Sequence, residues 1–155
     1  MKQIVLMDRS RIERSLKRMA IQVWETLDDG EEIILVGLNE RGYSVASVLK
    51  EFILSIFEEI SVELIQFDVK NLTHNEPLPV CSEKRVIIID DVIFSGKTIF
   101  DALKAVESAG QPKKIQTLAL LDRGHRTYPI ESNITGMSIP TKLGEHIEVL
   151  LLNNK

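Results

Sequence analysis

The stretch Val86-Ile87-Ile88-Ile89-Asp90-Asp91-Val92-Ile93-Phe94-Ser95-Gly96-Lys97-Thr98 changes character twice. Val86 to Ile89 are β-branched and wholly apolar, as suits a central strand covered on both faces in a parallel sheet. Asp90 and Asp91 end that run. After a short loop, Ser95, Gly96, Lys97 and Thr98 lead into a helix predicted from about Thr98 to Ser108, with Gly110 and Pro112 to stop it. The first amides of a helix lack backbone partners and sit at the positive end of its dipole, which seats a phosphate. Gly96 lets the backbone come close to a ligand. Ser95 and Thr98 add hydroxyl donors, and Lys97 adds positive charge. Two carboxylates would repel a bare phosphate but suit a sugar phosphate. Asp90 and Asp91 can accept hydrogen bonds from two ribose hydroxyls while the loop holds the phosphate, and charged acceptors strengthen such bonds.

The rival motif is the nucleotide-binding loop G-x-x-x-x-G-K-[ST]. Gly96-Lys97-Thr98 fits its end, but its first glycine falls on Asp91, whose carboxylate would oppose a β-phosphate. That reading is set aside. A plain helix cap after a core strand would account for Ser95 but not for the doubled acid.

Outward from this centre, strands and helices alternate. Asp8 or Ser10 can cap a first helix whose apolar face is Ile12, Leu16, Met19, Ala20, Val23 and Leu27. Ile33 to Leu38 reads as a buried strand. Gly42 opens a second helix through Val45, Leu49, Ile53 and Phe57. Val62 to Phe67 and Ile115 to Leu121 read as strands, and Ile147 to Leu152 as a last short one. Asp68 to Glu83, with Asn71, Asn75, Pro77 and Pro79, has no period and reads as a long loop. The expected fold class is α/β, a mostly parallel twisted sheet flanked by helices, with 1–155 as one domain.

Length and composition agree. A chain of 155 residues, 44% hydrophobic and 27% charged, suits one globular domain. A net charge of -4 argues against a generally basic surface for nucleic acid. The one cysteine, Cys81, excludes an internal disulfide and has no base beside it in sequence. The N-terminal apolar run is too short for a signal peptide, and no stretch approaches the roughly 20 apolar residues that span a bilayer. A cytoplasmic protein is expected.

The strand, the two acids, the short loop and the S-G-x-T ending resemble the signature of the type I phosphoribosyltransferases. The resemblance implies that Asp90 and Asp91 bind the ribose of phosphoribosyl pyrophosphate and that Val92, Ile93, Phe94, Ser95, Gly96, Lys97 and Thr98 enclose its phosphate. Downstream, Leu121-Asp122-Arg123-Gly124-His125-Arg126, Tyr128-Pro129-Ile130, Thr135-Gly136 and Ile139-Pro140-Thr141 resemble the bifunctional pyrimidine operon attenuator/uracil phosphoribosyltransferase group. That group attaches uracil to ribose phosphate, and some members bind leader RNA. Phe94 fits it, since purine-salvage members carry an acid there, and phenylalanine packs on a base without transferring a proton. Glu40, Arg41 and Gly42 occupy the place of the family's pyrophosphate loop, where the arginine fork suits oxygen anions. Ile134, Thr135 and Gly136, together with Phe94, occupy the base-binding positions. Ile134 stands where an aromatic residue commonly stacks. Phe67-Asp68-Val69-Lys70-Asn71 replaces the group's Arg-Asp-Asp in the flexible hood, with Lys70 only a point charge.

Asp90, Asp91 and Arg41 are thus the expected catalytic residues, and His125, a lone histidine, reads as structural. Magnesium is the implied cofactor, held through the pyrophosphate rather than by a protein ligand set. The resemblance also implies a homodimer. The rival from another class is an RNA-binding regulator or nucleotide sensor on the same fold. Arg11, Arg14 and Arg18, with Arg9 and Lys17 nearby, form a stripe on the first helix that would track phosphates, although a solvated face is the commoner explanation and the acidic net charge agrees with it.

Overall fold

The computed structural model describes residues 7–57, 59–69, 78–79 and 81–140. Eight elements follow in order: α1 (Arg9–Glu25), β1 (Glu32–Leu38), α2 (Asn39–Ile56), β2 (Ser61–Phe67), β3 (Arg85–Ile93), α3 (Lys97–Ser108), β4 (Lys114–Asp122) and β5 (Ile134–Ser138). The five strands form one parallel sheet in the order β2-β1-β3-β4-β5. From β1 the chain steps outward to β2, then returns past β1 to β3, β4 and β5. Right-handed crossovers in opposite directions put their helices on opposite faces. Accordingly, α1 and α2 pack on Ile33, Leu35, Ile87, Ile89, Leu118 and Leu120. On the other face, α3 packs Ile99, Ala102 and Val106 on Ile34, Val36, Val86 and Ile88. Alternate residues of each inner strand therefore enter different cores, which is why these strands are apolar without a break.

Helix α1 starts where the Asp8 carboxylate accepts from the Arg11 amide at 2.8 Å, and it buries Ile12, Leu16, Met19, Ala20 and Val23. Trp24, half exposed, stacks on Phe57 at the end of α2 with ring centroids 4.9 Å apart. Cys81 is buried with its thiol 3.6 Å from the Val106 carbonyl, a packing role. No helix among the described residues is long and apolar enough to cross a membrane.

Three boundaries differ from the sequence reading. α2 begins at Asn39, not Gly42, because Asn39 takes up a φ of 60° that asparagine tolerates and its side-chain oxygen accepts from the Val69 amide. β3 does not stop at the acids but runs on to Ile93, carried by the pairing of Val92 with Leu121 and Ile93 with Asp122. Ile134 to Ser138 is a strand at the sheet edge rather than a loop. The expected strand Ile147 to Leu152 and the hood residues Lys70 and Asn71 lie outside the described residues.

Candidate active site

The order β2-β1-β3 makes the carboxyl ends of β1 and β3 the point where the crossovers diverge, and open α/β sheets bind ligands in such a crevice. A cavity of about 310 Å³ lies there. It is lined by Leu38, Asn39, Glu40 and Arg41 from the β1–α2 junction, Asp68 after β2, and Asp90 and Asp91 on β3. Residues about fifty positions apart in sequence thus meet in one hollow. A larger hollow of about 550 Å³ lies beside α3, with Leu103, Ile115, Pro129 and Ile130 in its wall. It shares no lining residue with the first and holds neither acid, so size does not locate the chemistry.

Asp90 is 7% exposed. Burial pushes its carboxyl well above the usual carboxylate range, and the adjacent Asp91 side chain pushes it further, against the opposing effect of the Asp91 amide. That amide donates to Asp90 Oδ1 at 2.9 Å. The pocket therefore favours a donor or a cation beside Asp90, since either would stabilise the ionised form.

Glu40 and Arg41 are exposed in the first turn of α2, facing the same hollow. Gly42 is buried. A Cβ there would meet the Ile89 carbonyl oxygen at 2.7 Å, so Gly42 lets α2 lie close to β3 and brings Arg41 over the acids. Of the expected phosphate-enclosing residues, Ile93 is buried in the α3-side core and Val92 is partly buried against the opposite one. The loop proper is Phe94 to Gly96. Gly96 has a φ of 88°, the left-handed conformation glycine adopts without strain, and opens α3. Ser95 Oγ accepts from the Lys97 amide at 3.2 Å. Lys97 pairs with Asp101 at 3.2 Å on the exposed flank of α3, and Thr98 is half buried.

Phe94 is 37% exposed, with the Arg123 guanidinium 4.4 Å above its ring and the His125 ring 5.5 Å away. The residues expected to bind the base, Ile134, Thr135 and Gly136, lie on the edge strand β5. Ile134 is buried in the α1–α2 core and opens β5. Through Ala119, Thr135 stands in register with Asp90. The carbonyls of Thr135 and Gly136 accept from Arg18 on α1 at 3.2 and 2.9 Å. A Cβ on Gly136 would strike the Leu120 carbonyl oxygen. This segment is therefore a packed edge strand tied to α1 and β4.

The same contacts weaken the arginine stripe on α1. Arg18 is committed to β5, Arg14 donates to Ser10 and Arg9 pairs with Glu13. Sequence reading missed the role of Asp122, Arg126 and Tyr128, whose backbone and side chains brace the 94–96 loop. No periodicity marks an arginine that bonds main-chain carbonyls outside a helix.

Among the described residues no group of three or more His, Cys, Asp or Glu side chains could hold a metal. Asp90 and Asp91 are hard oxygen donors beside a phosphate-type loop. That set fits magnesium bound through one or two carboxylates and its ligand's phosphates, and does not fit a closed protein cage.

Residues 6–149 match the family model of the phosphoribosyl transferase domain. The Bifunctional protein PyrR of Haemophilus ducreyi is 36% identical, over 94% of this chain and 88% of that protein. The protein of the same name from Enterococcus faecalis is 35% identical, over 93% and 87%. Among solved structures, a hypoxanthine-guanine phosphoribosyltransferase from Bacillus anthracis superposes with a TM-score of 0.77 at 20% identity, over 89% of this chain and 82% of that one. The hypoxanthine phosphoribosyltransferase of Trypanosoma cruzi gives 0.76 at 15%, with the same coverage. At such identities the structural neighbours speak for the fold alone.

Proposed function

Since the chain belongs to the phosphoribosyltransferase family and is a pentosyltransferase, we propose that it transfers ribose 5-phosphate from phosphoribosyl pyrophosphate to uracil, releasing pyrophosphate. The whole chain, 1–155, is taken as one such domain, acting as a cytoplasmic homodimer. The observation that carries this reading is the meeting of Asp90, Asp91 and Arg41 in one cavity beside the 94–98 loop.

In this reading Asp90 and Asp91 accept from the ribose hydroxyls, and the amides and hydroxyls from Phe94 to Thr98 hold the 5-phosphate. The Glu40-Arg41-Gly42 turn faces the pyrophosphate, where the Arg41 fork donates to leaving-group oxygens. The base packs on Phe94 near Arg123 and the carboxyl end of β5. A ring nitrogen of the base bonds to the anomeric carbon as the bond from that carbon to the pyrophosphate oxygen breaks, and the nitrogen's proton passes to solvent. Magnesium, when bound, offsets charge building on the pyrophosphate. The protein's share is alignment and electrostatic stabilisation.

Uracil is favoured because Phe94 offers a ring face and no proton-transfer group, as in the pyrimidine branch that the sequence resembles. The test is a radiolabelled-base assay with phosphoribosyl pyrophosphate and magnesium, offering uracil, hypoxanthine, guanine, adenine and xanthine. Product from uracil, lost in Asp90→Asn/Asp91→Asn, is expected. Product from a purine alone would overturn the choice of base, and no product from any base would overturn catalysis. The second reading, an RNA-binding regulator, rests on the resemblance of the 121–141 motifs to the operon-attenuator group. It requires RNA binding that weakens steeply with salt.

A further inference from the structure

We infer that Arg126 is the positioning residue of the phosphate loop: it fixes the direction of the loop's amides and so sets affinity for the phosphorylated substrate without touching it. This rests on the reading of 94–98 as the phosphate seat. The carbonyl oxygens of Ile93, Phe94 and Ser95 are all held by one segment of chain. Ile93 O accepts from the Arg123 amide at 3.0 Å, and Ser95 O from the amides of Thr127 and Tyr128 at 2.9 and 3.0 Å. Phe94 O, between them, accepts from Arg126 Nη1 at 2.9 Å. In a trans peptide the C=O and the following N–H point in opposite directions. Tying these carbonyls to the 123–128 segment therefore turns the amides of Phe94, Ser95 and Gly96 away from it. Successive amides facing one way form a concavity that binds anions.

Phe94 O is the one anchor of the three that depends on a side chain. That side chain is itself tightly held. Arg126 Nη2 donates to Asp122 Oδ2 at 2.7 Å, and Nε donates to the Ile130 carbonyl at 2.7 Å. Asp122 also accepts from the Gly124 amide at 2.9 Å. Ile130 and the Tyr128 carbonyl in turn close over Gly96, where a Cβ would meet them at 3.2 and 3.3 Å. One guanidinium therefore joins the end of β4, the loop after it and the phosphate loop. Lysine, with a single nitrogen, cannot donate to all three acceptors in that geometry.

The test compares wild type with Arg126→Ala and Arg126→Lys. Steady-state kinetics would be measured for both substrates, with direct calorimetric binding of ribose 5-phosphate as a readout independent of turnover. Outer residues that orient a binding group typically cost about 10- to 100-fold when removed. We expect KM for phosphoribosyl pyrophosphate and Kd for ribose 5-phosphate to rise by about that factor in Arg126→Ala. KM for uracil should stay within about twofold, methylguanidinium should restore part of the loss, and Arg126→Lys should fall between. Unchanged ribose 5-phosphate binding in folded Arg126→Lys and Arg126→Ala would overturn the inference, as would equal losses for both substrates. Failure of the wild type to bind ribose 5-phosphate would instead overturn the reading of the loop on which the inference rests.

Discussion

Strand β3 begins at Arg85 and carries Asp90 near its other end, both buried, and the two charges are treated in opposite ways. Arg85 is surrounded by acceptors. It donates to both Glu31 carboxylate oxygens at 2.7 and 3.0 Å, to Gln116 at 3.0 Å and to the Thr26 carbonyl at 2.8 Å. The Arg85 hydrogen bond holds the Glu31 carboxyl down at about 2, against the opposing pull of burial. Among the described residues, Asp90 has no cation in such an arrangement. Burial and a second acid raise its pKa instead. The amino end of the sheet is complete in itself and serves stability. At the carboxyl end, the donor to Asp90 among the described residues is the Asp91 amide, and a ligand would supply more. The contrast separates a structural ion pair from a site by the direction in which the carboxyl is displaced.

The strongest way to break this contrast is to remove the acids. Each charge-assisted bond to a ribose hydroxyl is worth about 1.5–3 kcal/mol, so Asp90→Asn/Asp91→Asn should lower kcat/KM by about 10²- to 10⁴-fold. A loss below tenfold would mean that these acids do not face the sugar. At the other end, Arg85→Met leaves Glu31 buried without its partner and should cost about 3–5 kcal/mol of unfolding free energy by denaturant titration, with KM values unchanged in the folded protein.

Single Asp90→Asn should do the reverse, raising Tm of the ligand-free protein at pH 7. A carboxyl whose folded pKa is raised takes up protons on folding, so its ionisation lowers stability as pH climbs above its ordinary value near 3.8. The gain from Asp90→Asn should therefore shrink as pH falls toward that value. Glu31 has the opposite sign. Its contribution is full above about 4.5 and is lost as pH falls through about 2, so wild type should show an acid unfolding limb in that window that Arg85→Met lacks. The smallest effect is expected for Lys113→Ala. Lys113 reaches Asp28 at 2.9 Å and Glu31 at 3.7 Å from an exposed position, and its removal should leave Tm within error.

The sequence revealed the centre of this molecule better than its edges. Val86 to Ile89 could only be an inner strand, and the helix faces of α1 and α2 follow from spacing alone. The acid pair and the loop after it carried their own chemistry. β5 was missed because Ile134-Thr135-Gly136-Met137-Ser138 is short, interrupted by glycine and built to pack on Leu120 rather than to alternate. The end of β3 was misplaced because doubled acids look like a strand terminus, whereas pairing with Leu121 and Asp122 carries the strand through them. Arg126 was missed for a different reason: the contacts that tie it to Phe94 and Ile130 are to backbone carbonyls, which leave no trace in residue type.

The stack of Trp24 on Phe57 gives the protein a built-in optical reporter. Trp24 is the only tryptophan in the chain, and its indole lies on the seam between α1 and α2, on the sheet face opposite α3. Emission intensity and wavelength therefore register whether that helix layer is docked. A titration with phosphoribosyl pyrophosphate that leaves the spectrum still would place the response to ligand in the loops above the sheet. A spectral change would mean that filling the crevice at the ends of β1 and β3 is felt through α2 at its far end.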